Sequence, residues 1–71
     1  MVVYPNDHRP AHVHVIGNGK EGVFFLHCPD GPPELRENWG LSTAEIRTVE
    51  RAIADELTDY CEAWYGIHGY Y

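Results

Sequence analysis

Seventy-one residues, with 44% hydrophobic and 13% aromatic content, describe one domain spanning 1–71 with a modest core, which argues against global disorder. Eleven acidic against five basic residues give a formal net charge of -6. That balance argues against direct binding to nucleic acid or an anionic membrane, since both demand cationic patches. It suits either a merely solvated acidic surface or a basic partner.

The chain opens with an apolar, β-favouring run, Met1-Val2-Val3-Tyr4, predicting a short first strand closed by Pro5-Asn6-Asp7. Ala11 to Ile16 alternates, so Ala11, Val13 and Val15 face one side of a second strand and His12, His14 and Ile16 the other. Gly17-Asn18-Gly19-Lys20 gathers residues that tolerate positive φ and predicts a hairpin turn. Gly22 to Cys28 reads as the returning strand, apolar on both faces and therefore central.

Pro29-Asp30-Gly31-Pro32-Pro33 interrupts the sheet. Glu34 to Leu41 predicts a helical turn or a short irregular strand, with Trp39 tucked against the core and Gly40 at a sharp turn. Ser42-Thr43-Ala44-Glu45 has the form of a capping box. From there one helix is predicted to about Trp64, burying Ile46, Val49, Ile53, Leu57, Tyr60 and Trp64 along one stripe. Gly66 and Gly69 then predict helix termination and a loose aromatic tail. The expected architecture is α+β: a small antiparallel sheet of about three strands packed on one long C-terminal helix.

Cys28 and Cys61 form no C-x-x-C pair and sit beside no second thiol. They read as reduced thiols of an intracellular, cytoplasmic protein, a single Cys28–Cys61 bridge being the open alternative. No apolar run has the length of a signal peptide or a membrane span.

Two constellations carry candidate chemistry. The imidazoles of His12 and His14 stand at i,i+2 on one strand face, about 7 Å apart at Cα. With His8 or Asp7 folded over them they would make a zinc site. Their alternative role is packing and hydrogen bonding. The second constellation is acidic. Asp55, Glu56, Asp59 and Glu62 crowd the second half of the predicted helix, opposing its dipole; Glu50 and Glu45 extend the set towards the N-terminus. No complete catalytic set is visible: Ser42 is a cap, Cys28 has no assigned base, and Gly17-Asn18-Gly19 joins two strands rather than opening a helix.

The run Asp7-His8-Arg9-Pro10-Ala11-His12-Val13-His14-Val15, continued by Asn38-Trp39-Gly40-Leu41-Ser42 with Glu45 and closed by Glu62-Ala63-Trp64, resembles the small bacterial "domain of unknown function 4160" family. The departures are a short stretch before the motif, the Pro29–Pro33 segment, and Ala11 where a second proline is common. The resemblance implies a compact sheet-plus-helix domain of the kind found in accessory proteins of bacteria and mobile elements, often beside toxin–antitoxin-type genes. In general type the chain also resembles small acidic anti-CRISPR inhibitors, which present DNA-like negative charge. The expected function is therefore a non-enzymatic inhibitor or interaction protein, a monomer or weak homodimer. Its carboxylates would block a basic nucleic-acid-binding surface of a host complex. The alternative is a metal-binding or hydrolytic domain built on the His-x-His strand.

Overall fold

A computed structural model describes residues 8–71; the predicted first strand, Met1–Tyr4, lies outside the described residues. The remaining elements run β1 (His12–Gly17), β2 (Lys20–Phe25), β3 (Glu34–Trp39), α1 (Thr43–Asp55) and α2 (Leu57–His68). Both strand pairs are antiparallel and β2 is central, as its two-sided hydrophobicity requires. The β1–β2 hairpin closes through Asn18 and Gly19, at φ 51° and 75°, with Gly17 paired to Lys20. Two consecutive positive φ values match the right-handed twist of the flanking strands, which is why Asn-Gly stands there.

The third described strand is β3, from the stretch with the weakest pattern. It joins β2 with a register shift between Val23 and Phe24, whose partners are Glu37 and Leu35, so Arg36 is the extra residue. Asn38 ends the strand: its Oδ1 accepts from the Leu41 N–H at 2.9 Å and its Nδ2 donates to the Leu41 carbonyl at 3.1 Å. Gly40 follows at φ 92°. This turn leaves Trp39 outside, 58% exposed, rather than tucked into the core.

The capping box forms as predicted. Ser42 Oγ accepts from the Glu45 N–H, and Glu45 Oε1 accepts from the Ser42 N–H at 3.0 Å. The single long helix does not. It breaks at Glu56, whose φ of -123° leaves the helical region, and the Glu56 N–H closes the last turn of α1 on the Ile53 carbonyl. α1 has no basic residue in its last turn, so Asp55 and Glu56 face its negative pole. Starting α2 at Leu57 puts Asp59 in the first turn of a new helix, where an anion is stabilised by roughly 0.3–1 kcal/mol. Dividing the helix relieves the predicted conflict with the dipole at Asp59 and leaves it in place at Asp55 and Glu56.

The stripe itself survives the break. Ile53 and Trp64 are fully buried, and Ile46, Val49, Leu57 and Tyr60 pack against the core built from Ala11, Val13, Phe24, Leu26, Ile53, Cys61 and Trp64. α2 runs past Gly66 to His68 and stops at Gly69, φ 75°, whose N–H bonds the Tyr65 carbonyl. The tail beyond is fastened, not loose. Trp64 Nε1–H donates to the Tyr70 carbonyl at 2.8 Å, and Arg9 lies 5.0 Å from the centre of the Tyr70 ring.

Cys28 and Cys61 are joined in a disulfide. This corrects the reading of two reduced thiols and removes the ground on which an intracellular location was expected. The bond ties the loop after β2 to the middle of α2. Gly31 reinforces the same contact: at φ 75° it sits where an added Cβ would meet Leu57 Cδ2 at 2.7 Å, so that neither its backbone nor its neighbour accepts a side chain.

Two stability predictions follow from these bonds. The disulfide closes a loop of 33 residues' separation. Replacing both cysteines by Ala should therefore cost about 3–4 kcal/mol in denaturant unfolding, the chain entropy it removes from the unfolded state. Glu45 is held below the usual carboxylate range, chiefly by the Ser42 backbone bond and then by Lys20. A depressed carboxylate adds stability above its unfolded pKa and loses it as pH falls through the folded value. Glu45→Gln should accordingly flatten part of the acid limb of the thermal-stability profile, leaving a smaller difference from the parent once pH is below that limb.

Candidate functional site

The alternation along β1 divides the sheet into two faces. Val13 and Val15 point to the helices; His12 and His14 point to the other face, beside Phe25 and Val23, their directly paired residues on β2. The predicted juxtaposition is present: the two imidazole centroids are 5.2 Å apart. His12 is nonetheless almost fully buried, at 3% exposure, and its ring contacts Trp64 at 5.2 Å. Trp64 in turn stacks on His68 at 3.9 Å. His68 Nε2 is buried without a hydrogen-bond partner.

Each of the two β1 histidines is held through Nδ1. His12 Nδ1 lies 2.8 Å from the Pro10 carbonyl, and His14 Nδ1 lies 3.2 Å from Glu21 Oε2. A carbonyl or carboxylate oxygen only accepts, so Nδ1 carries the proton in both bonds and the second ring nitrogen to be considered is Nε2. This is the orientation in which histidines ligate metals. His8 is exposed and Asp7 lies outside the described residues. Among the described residues no group of three or more His, Cys, Asp or Glu is arranged to hold a metal ion. The structure thus assembles His12 and His14 of the predicted set and adds Glu21, which the sequence reading did not single out. The signal for it was the hairpin register, which puts Glu21 two residues from Val23, the direct partner of His14.

The acidic residues do not form one ridge. Glu45 is spent locally, accepting from Ser42 and from Lys20 Nζ at 3.2 Å. Glu50 is half-buried and lines a cleft of about 410 Å³ with His27, Glu34, Pro32 and Pro33. Asp55, Glu56, Asp59 and Glu62 are all exposed, and none of their carboxylates makes an ion pair or hydrogen bond with a described residue. Asp59 and Glu62 lie one turn apart on α2, away from buried Cys61 and Trp64. Their field is felt nearby: the Tyr60 hydroxyl is pushed above its ordinary range by burial first and then by Glu56 and Asp59. The carboxylates of the sheet are otherwise disposed. Glu21, Glu34 and Glu37 each face a cation or imidazole, respectively His14, His27 and Arg36.

A groove of about 420 Å³ lies between the hairpin end and α1, lined by Val15, Ile16, Leu41, Ala44 and Val49, with Lys20 and Glu45 among its residues. Apart from Glu45 it holds none of the predicted site residues. No helix of the described residues is long and apolar enough to cross a membrane.

No curated protein and no solved structure matches the chain. The likeness to anti-CRISPR inhibitors is therefore without support from a matched relative. One family model does match, over residues 1–65, and it spans the His-rich run, β3, the capping box and Trp64. On that match the chain belongs to the domain of unknown function 4160 (DUF4160) family.

Proposed function

We propose that the protein is a non-enzymatic interaction module of the inhibitor type, which presents Asp55, Glu56, Asp59 and Glu62 to the cationic nucleic-acid-binding surface of a partner protein or complex. The observation that carries this reading is the segregation of its carboxylates. Those on the sheet are paired within the fold, while these four are exposed and unpaired around the helix break. Uncompensated charge of one sign costs self-repulsion in the free protein and steers association with an oppositely charged surface. An anti-CRISPR inhibitor is the narrowest form of this reading. Glu45 is withdrawn from the docking set because its oxygens are committed to the cap and to Lys20, and Glu50 because it faces a different cleft.

The test is capture of nucleic-acid-binding proteins from the native host, read by mass spectrometry with the parent and with Asp55→Asn, Asp59→Asn, Glu62→Gln combined. The parent should retain a nucleic-acid-binding partner that is released by salt or by competing DNA. The triple variant should associate with that partner about tenfold more slowly at low salt. Equal association of parent and variant would overturn the reading.

A second reading is favoured by the juxtaposition of His12 and His14, whose ring centroids are 5.2 Å apart: a metal-binding or hydrolytic domain in which His12 and His14, with His8 and Asp7, hold zinc. Protein purified without a polyhistidine tag should then carry close to stoichiometric zinc, and His12→Ala with His14→Ala should lose it. Metal-free parent protein after growth in zinc-supplemented medium would reject this reading.

A further inference from the structure

β3 lies at one edge of the sheet, with β2 on its inner side and no strand on its outer side among the described residues. Its sequence is Glu34-Leu35-Arg36-Glu37-Asn38-Trp39. We propose that this edge is the contact between two copies of the chain, pairing antiparallel about a two-fold axis between Arg36 and Glu37. Arg36 of each copy then faces Glu37 of the other, Leu35 faces Asn38, and Glu34 faces Trp39.

Three observations converge on that register. The first is the bulge. A regular strand would alternate Arg36 and Glu37 to opposite faces, and a two-fold between them would then set each side chain against one of the wrong face. The extra residue at Arg36 changes this: Glu37 pairs with Val23 and Glu34 with Phe25, both on the face that carries His12 and His14, while Arg36 lies over the Phe25 ring at 5.6 Å. Both charges therefore stand on the same face, as do Glu34 and Trp39. Leu35, opposite Phe24, points to the core side with Asn38, opposite Gly22. Every pair in the proposed register joins residues of like face.

The second observation is the charge order. Charged residues and bulges on an edge ordinarily discourage strand addition. Here opposite charges occupy adjacent positions, so a generic strand meets an unmatched charge whereas an antiparallel copy meets two complementary pairs. Arg36 and Glu37 are 4.0 Å apart within one chain and 46% and 41% exposed. Their internal pairing is weak and accessible to exchange. The third observation is Trp39, the most exposed of the large hydrophobic side chains among the described residues at 58%. It stands on the histidine-bearing face at the end of the same strand, opposite Glu21, where the second copy's Glu34 would meet it. Trp and Arg are both enriched at contacts between proteins relative to the rest of the surface.

The assignment goes beyond the proposed function and uses none of the helix carboxylates. Its test is sedimentation equilibrium of the untagged chain at low salt, over concentrations up to the solubility limit. The parent should show a monomer–dimer equilibrium. Arg36→Glu and Glu37→Arg, each alone, should weaken it by at least about tenfold, because each puts like charges opposite one another at two symmetric places. The double swap should restore it. Circular dichroism on the same samples checks that each variant keeps the parent's fold, and the swap compares variants carrying the same altered positions. A parent that stays monomeric throughout would overturn the proposal. So would folded single variants that dimerise like the parent, or a folded double swap no stronger than the single variants.

Discussion

The covalent link from Cys28 to Cys61 joins the two halves of this fold. The core consists of a few side chains, with Phe24, Leu26 and Val13 from the sheet side and Ile53 and Trp64 from the helices among its largest. Domains of this size bury a smaller share of their surface than larger ones and commonly need a staple. The bond sits where one is most effective, between the last residues of the hairpin and the second helix. It also explains how the helix tolerates a break at Glu56: α2 does not depend on continuity with α1 for its position, because Cys61 is tethered and Leu57 is packed against Gly31.

Much of the backbone was legible because the local signals are strong and independent of context. Asn18-Gly19 dictates a tight hairpin by its φ preference, Ser42 and Glu45 dictate a helix start by reciprocal bonds, and the helical stripe dictates which residues meet the core. β3 was half legible. Its Glu34-Leu35-Arg36-Glu37 alternation is scrambled by the bulge, and a bulge is set by the partner strand rather than by the bulged strand's own sequence. Trp39 misled for a related reason. Its size predicts burial, but the Asn38–Leu41 turn fixes the strand end so that the indole stays outside.

The candidate site was legible in its histidines and less so in its acids. A period of two fixes His12 and His14 on one face whatever else happens. The acidic ridge presupposed an unbroken helix and free side chains. The break re-aims Asp59 with respect to a helix terminus, and Glu45 proves to be doing two jobs at once, closing the cap and holding Lys20. Neither effect can be read from helical angles alone, since one depends on a local departure from helical geometry and the other on a residue of a distant hairpin. The bridge between the cysteines belongs to the same class: their separation in sequence permits it, and only the packing of α2 on the sheet end brings it about.

The disulfide has a topological effect apart from its thermodynamic one. Residues 29–60, which include β3, α1 and the helix break, form a closed covalent ring with Cys28 and Cys61 as its clasp. A single peptide-bond cleavage inside that ring opens the ring without dividing the molecule. The hairpin bearing His12 and His14 and the helix bearing Trp64 stay joined through sulfur, so a nicked chain would run as one species until a reductant separates it into two.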